Sequence, residues 1–216
     1  MEFCARACWV VLCLGLIGCS SESNDIATLK RAAEDGDVIS QYNLGCVYVE
    51  GEGVTQDAVE AAKWFLLAAE NGDVDAQYML ASLYDEGEGV QEDDVEAARW
   101  YLKAAKQGDQ FAQYNLALMY DEGTGVDQDY VKAMHWYRQA AEQGDIEGQY
   151  SVGLLYQQGQ GTAVDLVEAY AWFAAAQRNG DSSGRDRCAE IEKQLTEAEL
   201  KDAQARASLV IDRYGQ

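Results

Sequence analysis

Residues 72–107 read GDVDAQYMLASLYDEGEGVQEDDVEAARWYLKAAKQ, and the chain on either side repeats the pattern. The pair Gly-Asp recurs as Gly36-Asp37, Gly72-Asp73, Gly108-Asp109, Gly144-Asp145 and Gly180-Asp181, 36 residues apart each time. On that period the columns agree. Gln41, Gln77, Gln113 and Gln149 are each followed by a tyrosine (Tyr42, Tyr78, Tyr114, Tyr150), and a second tyrosine column stands at Tyr48, Tyr84, Tyr120 and Tyr156. Glycine pairs begin at Gly51, Gly87, Gly123 and Gly159, and tryptophans follow at Trp64, Trp100, Trp136 and Trp172. Self-similarity at a period of roughly 20–50 residues marks an array whose units bury their apolar faces only against one another.

Each unit reads as two helices. Asp37 and its equivalents follow a glycine suited to the left-handed end of one helix, and a carboxylate there can cap the next. That first helix is expected to run to about Glu50 and stop at Gly51. Asp57, Asp93, Asp129 and Asp165 open the second helix, with Glu60, Glu96 and Glu168 at capping-box spacing in three units. It ends at the next Gly-Asp. Ala76, Leu80 and Leu83 follow i, i+4, i+7 along the first helix, while Val95, Ala98, Trp100, Tyr101 and Ala104 crowd the second. Gly45, Ala81, Ala117 and Gly153 are small enough for backbones to approach closely. The chain of 216 residues has no proline, so long stretches lack the residue that breaks helices.

The pattern A-x-x-L-G/A-x-x-Y, then G-x-G-V, then A-x-x-W-Y/F-x-x-A-A resembles the Sel-one-like repeat, a relative of the tetratricopeptide repeat. The resemblance covers four units, at 36–71, 72–107, 108–143 and 144–179. It implies an all-α fold, a right-handed α-solenoid superhelix of stacked antiparallel helix pairs. Residues 25–35, with Ile26, Leu29, Ala32 and Ala33, are expected to form an N-terminal capping helix. Residues 180–216 are expected to form C-terminal capping helices, the last opened by Thr196 and Glu199 and running to about Tyr214. The proline often seen after the G-x-G-V turn is replaced by Thr55, Gln91 and Asp127, and Thr162 stands where the other units have valine.

The amino terminus differs in kind. Trp9 to Ile17 is an apolar run too short to span a bilayer and long enough for the core of an export signal, with a thin positive end because Glu2 offsets Arg6. Leu16-Ile17-Gly18-Cys19 resembles the lipobox of bacterial lipoproteins. That resemblance implies removal of residues 1–18, lipidation of Cys19 and a short tether at 19–24; an ordinary cleaved signal with an incidental Cys19 is the alternative. Ser20 rather than Asp follows Cys19, which by the same resemblance implies the outer membrane, on the periplasmic side of a bacterial envelope. Cys4, Cys8 and Cys13 would leave with the signal. Cys46 and Cys188 remain, about four units apart and expected to be free thiols.

The formal charge is -22, from 16 Lys and Arg against 38 Asp and Glu, and it excludes a sequence-independent nucleic-acid binder, which must neutralise phosphates. It also argues against lying on an anionic membrane, and it favours a partner that presents basic residues. The single histidine, His135, leaves histidine-based metal sites and triads without their parts. It occupies the position of Lys63, Arg99 and Ala171 and is expected to be an exposed helix residue. Glu92-Asp93-Asp94 and Asp127-Gln128-Asp129 lack EF-hand spacing and fall at helix starts, where carboxylates are favourable anyway. No catalytic, cofactor-binding or metal-binding residue is expected.

Columns repeated in every unit read as packing, so binding residues are sought where the units differ. The stripe at unit positions 4, 8 and 11 reads Ile39, Asn43, Cys46; Asp75, Met79, Ser82; Phe111, Asn115, Leu118; Glu147, Ser151, Leu154. First helices of stacked pairs line the concave side. The expected groove therefore comprises Ile39, Asn43, Asp75, Met79, Phe111, Asn115, Leu118, Glu147 and Ser151, with Phe111 and Met79 as exposed anchors. The family resemblance implies an interaction scaffold, in bacteria often at the envelope. A few cysteine-rich members bind penicillin or weakly hydrolyse β-lactams, but they carry a cysteine pair in each unit. The leading expectation is a lipid-anchored, non-enzymatic adaptor for a protein or peptide partner. The alternatives are a penicillin-binding or β-lactam-hydrolysing member and a structural component of an envelope export complex.

Overall fold

The computed structural model describes residues 22–214, and the expected signal segment and Cys19 lie outside them. The described residues form eleven α-helices and no strand: α1 (Glu22–Glu34), α2 (Val38–Glu50), α3 (Ala58–Glu70), α4 (Val74–Glu86), α5 (Asp94–Lys106), α6 (Gln110–Glu122), α7 (Tyr130–Glu142), α8 (Ile146–Gln158), α9 (Leu166–Arg178), α10 (Ser182–Glu192) and α11 (Glu197–Tyr214). Consecutive helices pack from α1 through α10, giving a solenoid of stacked pairs. Each repeat supplies an A helix (α2, α4, α6, α8) and a B helix (α3, α5, α7, α9). Helix α1 begins at Glu22, inside the stretch expected to be a tether. No described helix is long and apolar enough to cross a membrane.

The aspartate columns start both helices. Asp37, Asp73, Asp109 and Asp145 accept the backbone N–H three residues on, at 2.6 to 2.8 Å. Asp57 accepts from both Val59 and Glu60, and Asp93, Asp129 and Asp165 do the same in their units. Every A helix stops at a left-handed glycine, as at Gly51 with φ +72°. The expected capping box forms only in part. Glu60, Glu96 and Glu168 turn outward to Lys63, Arg99 and Arg206. The N–H they were expected to take, that of the capping aspartate, donates instead to the carbonyl of Tyr48, Tyr84 or Tyr156, and Asp129 likewise to Tyr120, at 2.8 to 3.0 Å. The last A turn thus holds the B start directly. The full reciprocal box occurs at Thr196 and Glu199.

Packing covaries within the four repeats. Gly45 and Gly153 stand against the rings of Phe65 and Phe173, where a Cβ would lie 2.5 and 2.8 Å from ring carbons, so these small residues admit a ring rather than a backbone. Units two and three carry Ala81 with Tyr101 and Ala117 with Tyr137, and each of those hydroxyls has a carboxylate within reach: Asp85 at 3.5 Å and Asp121 at 3.3 Å. Val49 and Gln157 hold those places beside the phenylalanines, which have no hydroxyl to satisfy. The second glycine of each G-x-G pair seats a repeat on its predecessor. At Gly89 a Cβ would collide with the carbonyl of Ala58 at the start of the preceding B helix. Val95, expected on the apolar face, is exposed.

The glutamine column forms a buried ladder between repeats. Gln77 donates to the carbonyl of Ala69 in the preceding B helix at 3.1 Å and accepts from Gln107 at 2.9 Å. Gln113 repeats this with Ala105 and Gln143. Gln149 donates to Ala141 and accepts from Asn179. Buried polar groups are costly unless paired, so this ladder fixes the register of one repeat on the next.

The C-terminal helix departs from the array. Helix α11 packs along α9 and reaches α7, with far less contact to α10. Ala203 and Ala207 are buried against α9, Arg206 pairs with Glu168, and the Tyr214 ring stacks on Trp172 at 5.9 Å and 14°.

Candidate functional site

The glutamine, tyrosine and tryptophan columns are consumed by packing. Tyr42, Tyr78, Tyr114 and Tyr150 are half-buried, and each ring lies 5.2 to 5.9 Å from the aromatic ring of its own B helix. Trp100 and Trp172 are buried, and Trp64 and Trp136 are half-buried. That leaves the varying stripe on the A helices.

Position 4 of the unit is the outward one. Ile39 is 67% exposed and Phe111 58%, Asp75 is exposed and Glu147 half-buried. The Phe111 ring leans on Tyr78 of the neighbouring A helix, with centroids 6.0 Å apart. Position 8 faces inward more often. Asn43 is exposed, but Asn115 is half-buried beside the hydroxyls of Tyr78 and Tyr101, and Ser151 is half-buried beside that of Tyr137. Met79, expected to be an exposed anchor, is 6% exposed and belongs to the core cluster that holds Cys46 and Phe65. The reason is chemical: position 8 lies against the tyrosine layer, where asparagine and serine find hydroxyls and a flexible apolar side chain fills the gap. Leu118 at position 11 is half-buried against the cluster shared by units three and four.

Among the carboxylates here Asp109 and Asp121 are half-buried, while Asp75 and Asp85 are exposed. Loss of hydration raises all four from the ordinary carboxylate value, with Asp73 adding to the shift at Asp75, Asp94 at Asp85 and Asp75 at Asp109. Each would be stabilised as an anion by a cation brought near it.

Other places on the molecule offer less. A cleft of about 570 Å³ lies between α7, α9 and α11, lined among others by Arg138, Trp172, Arg206 and Tyr214. Two of its cations are already engaged: Arg138 bonds Glu142 and the Tyr156 hydroxyl, and Arg206 bonds Glu168 and Asp202. Cys46 and Cys188 are buried and not joined in a disulfide. Burial pushes the Cys188 thiol up to about 12, which leaves it a poor nucleophile. His135 is exposed with its ring edge-on to Trp136. Among the described residues no group of three or more His, Cys, Asp or Glu is arranged to hold a metal ion. One contact escaped the sequence reading. Arg187 of α10 donates to the Tyr150 hydroxyl at 3.1 Å, and it stands at position 8 of a fifth period counted from Gly180.

Comparison with known proteins agrees with the geometry. The family model described as Sel1 repeat matches residues 38–73, 74–109, 110–145 and 146–181. A Sel1 repeat protein from Oxalobacter formigenes, solved by crystallography, is 28% identical over 88% of this chain and 84% of its own, with a TM-score of 0.71. The crystal structure of a protective antigen present in uropathogenic Escherichia coli strains, displaying an SLR fold, is 29% identical over 90% of this chain with a TM-score of 0.57. This chain spans 50% of that antigen's length. No curated protein matches the sequence.

Proposed function

The chain belongs to the Sel1 repeat family, and from that premise we propose that it is a non-enzymatic scaffold, held in a bacterial envelope by a lipid on Cys19, that binds a partner protein or peptide along its A helices. Members of the family are commonly protein-interaction scaffolds. The observation that carries the reading is the division of labour within the A helices: their glutamine and tyrosine columns are spent on packing, while Phe111 and Ile39 stay in solvent on the face where the units differ. Exposed apolar side chains beside half-buried aromatics are the usual anchors of an interface. The buried, high-pKa Cys188 gives no support to the alternative of a cysteine-dependent activity on β-lactams.

Two measurements test the two halves of the proposal. Metabolic fatty-acid labelling should mark the wild type and not Cys19→Ser; an unlabelled wild type removes the lipid anchor. Crosslinking in isolated envelopes should yield a partner that Phe111→Ala loses, while that variant melts within about 2 °C of the wild type, a shift worth less than ~1 kcal/mol at this size. Undiminished crosslinking in a folded Phe111→Ala variant would move the binding surface elsewhere.

A further inference from the structure

The four A helices contain no lysine or arginine, yet Asp75, Asp85, Glu86, Asp121, Glu122 and Glu147 all lie on them. The cations of the repeats stand on the B helices instead, and several are already engaged there: Lys63 with Glu60, Arg99 with Glu96, Lys132 with Asp129 and Arg138 with Glu142. The solenoid therefore has one side of a single sign. Along that side position 4 alternates, apolar then acidic, as Ile39, Asp75, Phe111 and Glu147. Beyond the row, Arg187 at position 8 of the next period donates to the hydroxyl of Tyr150 and pairs with Glu190 of its own helix.

We propose that this face takes an extended basic segment of a partner protein, in which lysine or arginine alternates with an aliphatic side chain about every third residue. The cations face Asp75 and Glu147, and the aliphatic side chains face Ile39 and Phe111. The inference rests on the scaffold reading above and specifies its ligand. Packed helices lie ~10 Å apart, and an extended segment in the polyproline-II conformation advances ~3.1 Å per residue and returns its side chains to one face every third residue, so one repeat corresponds to about three residues of ligand.

The probe is a labelled synthetic peptide of about 12 residues, long enough for four repeats in the polyproline-II conformation, with leucine and lysine alternating at every third position and Ser-Gly between them. Its control has the same composition, with the two lysines adjacent and the two leucines adjacent. Fluorescence anisotropy with the full-length protein at low salt should show the alternating peptide bound at least about tenfold more tightly than the control peptide. The double variant Asp75→Asn/Glu147→Gln should weaken it about tenfold, and Phe111→Ala should weaken it similarly. Glu70→Gln/Asp212→Asn, which removes two exposed carboxylates from a B helix and α11, should leave affinity within about twofold. No binding, equal binding of the control peptide, or equal loss in both carboxylate pairs overturns the proposal. So does self-association of the chain that Phe111→Ala abolishes, which would assign the face to a second copy. If the peptide fails while crosslinking to a partner still depends on Phe111, the basic segment is wrong and the scaffold reading survives.

Discussion

At the scale of the residue, the glutamine ladder has one missing rung. Gln77, Gln113 and Gln149 have both amide ends met, but the buried Oε1 of Gln41 has no partner. The position that supplies the donor elsewhere, through Gln107, Gln143 or Asn179, is held in the first unit by Asn71, whose amide turns back to the carbonyl of Leu67 at 2.8 Å. Length alone does not decide this, since Asn179 reaches Gln149 at 3.0 Å, but Asn71→Gln places at the first rung the side chain that meets Gln77 and Gln113. It should stabilise the fold by ~0.5 to 1.5 kcal/mol, the net worth of one satisfied buried bond. An unchanged or lower melting temperature would mean that the amide of Gln41 is already satisfied. The same scale separates packing from binding. Trp100 is 2% exposed, and Trp100→Ala should cost ~3 to 5 kcal/mol in chemical denaturation. A Trp100→Ala variant as stable as the wild type would contradict the assignment of the columns to the core.

At the scale of the element, the repeats were legible because each position is written four times. The capping aspartates, the helix stops at Gly51 and its equivalents, and the approximate helix bounds all follow from residues that recur every 36. Positions that do not repeat were read less well. Met79 shares its place with Asn43, Asn115 and Ser151, and a polar column gave no sign that a methionine there would enter the core. The course of α11 was missed too, although the sequence held a signal. Ala171 stands where other units have Lys63, Arg99 and His135, and Ala175 where they have Leu67, Lys103 and Gln139. Both alanines are fully buried, so the outer side of α9 is built to be covered. Truncation before Thr196 should therefore lower the melting temperature by several degrees and raise binding of a hydrophobic dye, as Ala171, Ala175 and Trp172 meet water. Unchanged melting and dye binding would show that α11 is not part of the folded unit.

At the scale of the whole molecule, the charge of -22 sets the response to pH. Asp75, Asp85, Glu86, Asp109 and Asp121 are all raised in the folded state, mainly by burial, so the native protein binds more protons than the unfolded chain between the ordinary carboxylate values and the raised ones. Stability then falls as pH rises through that window, and the penalty is fully present above it. Asp37, Asp129 and Glu199 act in the opposite sense, because their hydrogen bonds lower them and that contribution is lost as pH falls through their folded values. The melting temperature should rise as pH falls into the window just above the ordinary carboxylate values of ~4 and fall again below it. A steady fall with pH through that window would contradict the raised carboxyls. The central claim, that the B helices and α11 build the rod while the A helices meet the partner, is tested most directly by hydrogen exchange on the protein with its crosslink-identified partner bound. Added protection should appear in α4 (Val74–Glu86) and α6 (Gln110–Glu122) and be absent from α5 (Asp94–Lys106) and α11 (Glu197–Tyr214); protection confined to α5, α7 or α11, with α4 and α6 unchanged, would contradict it.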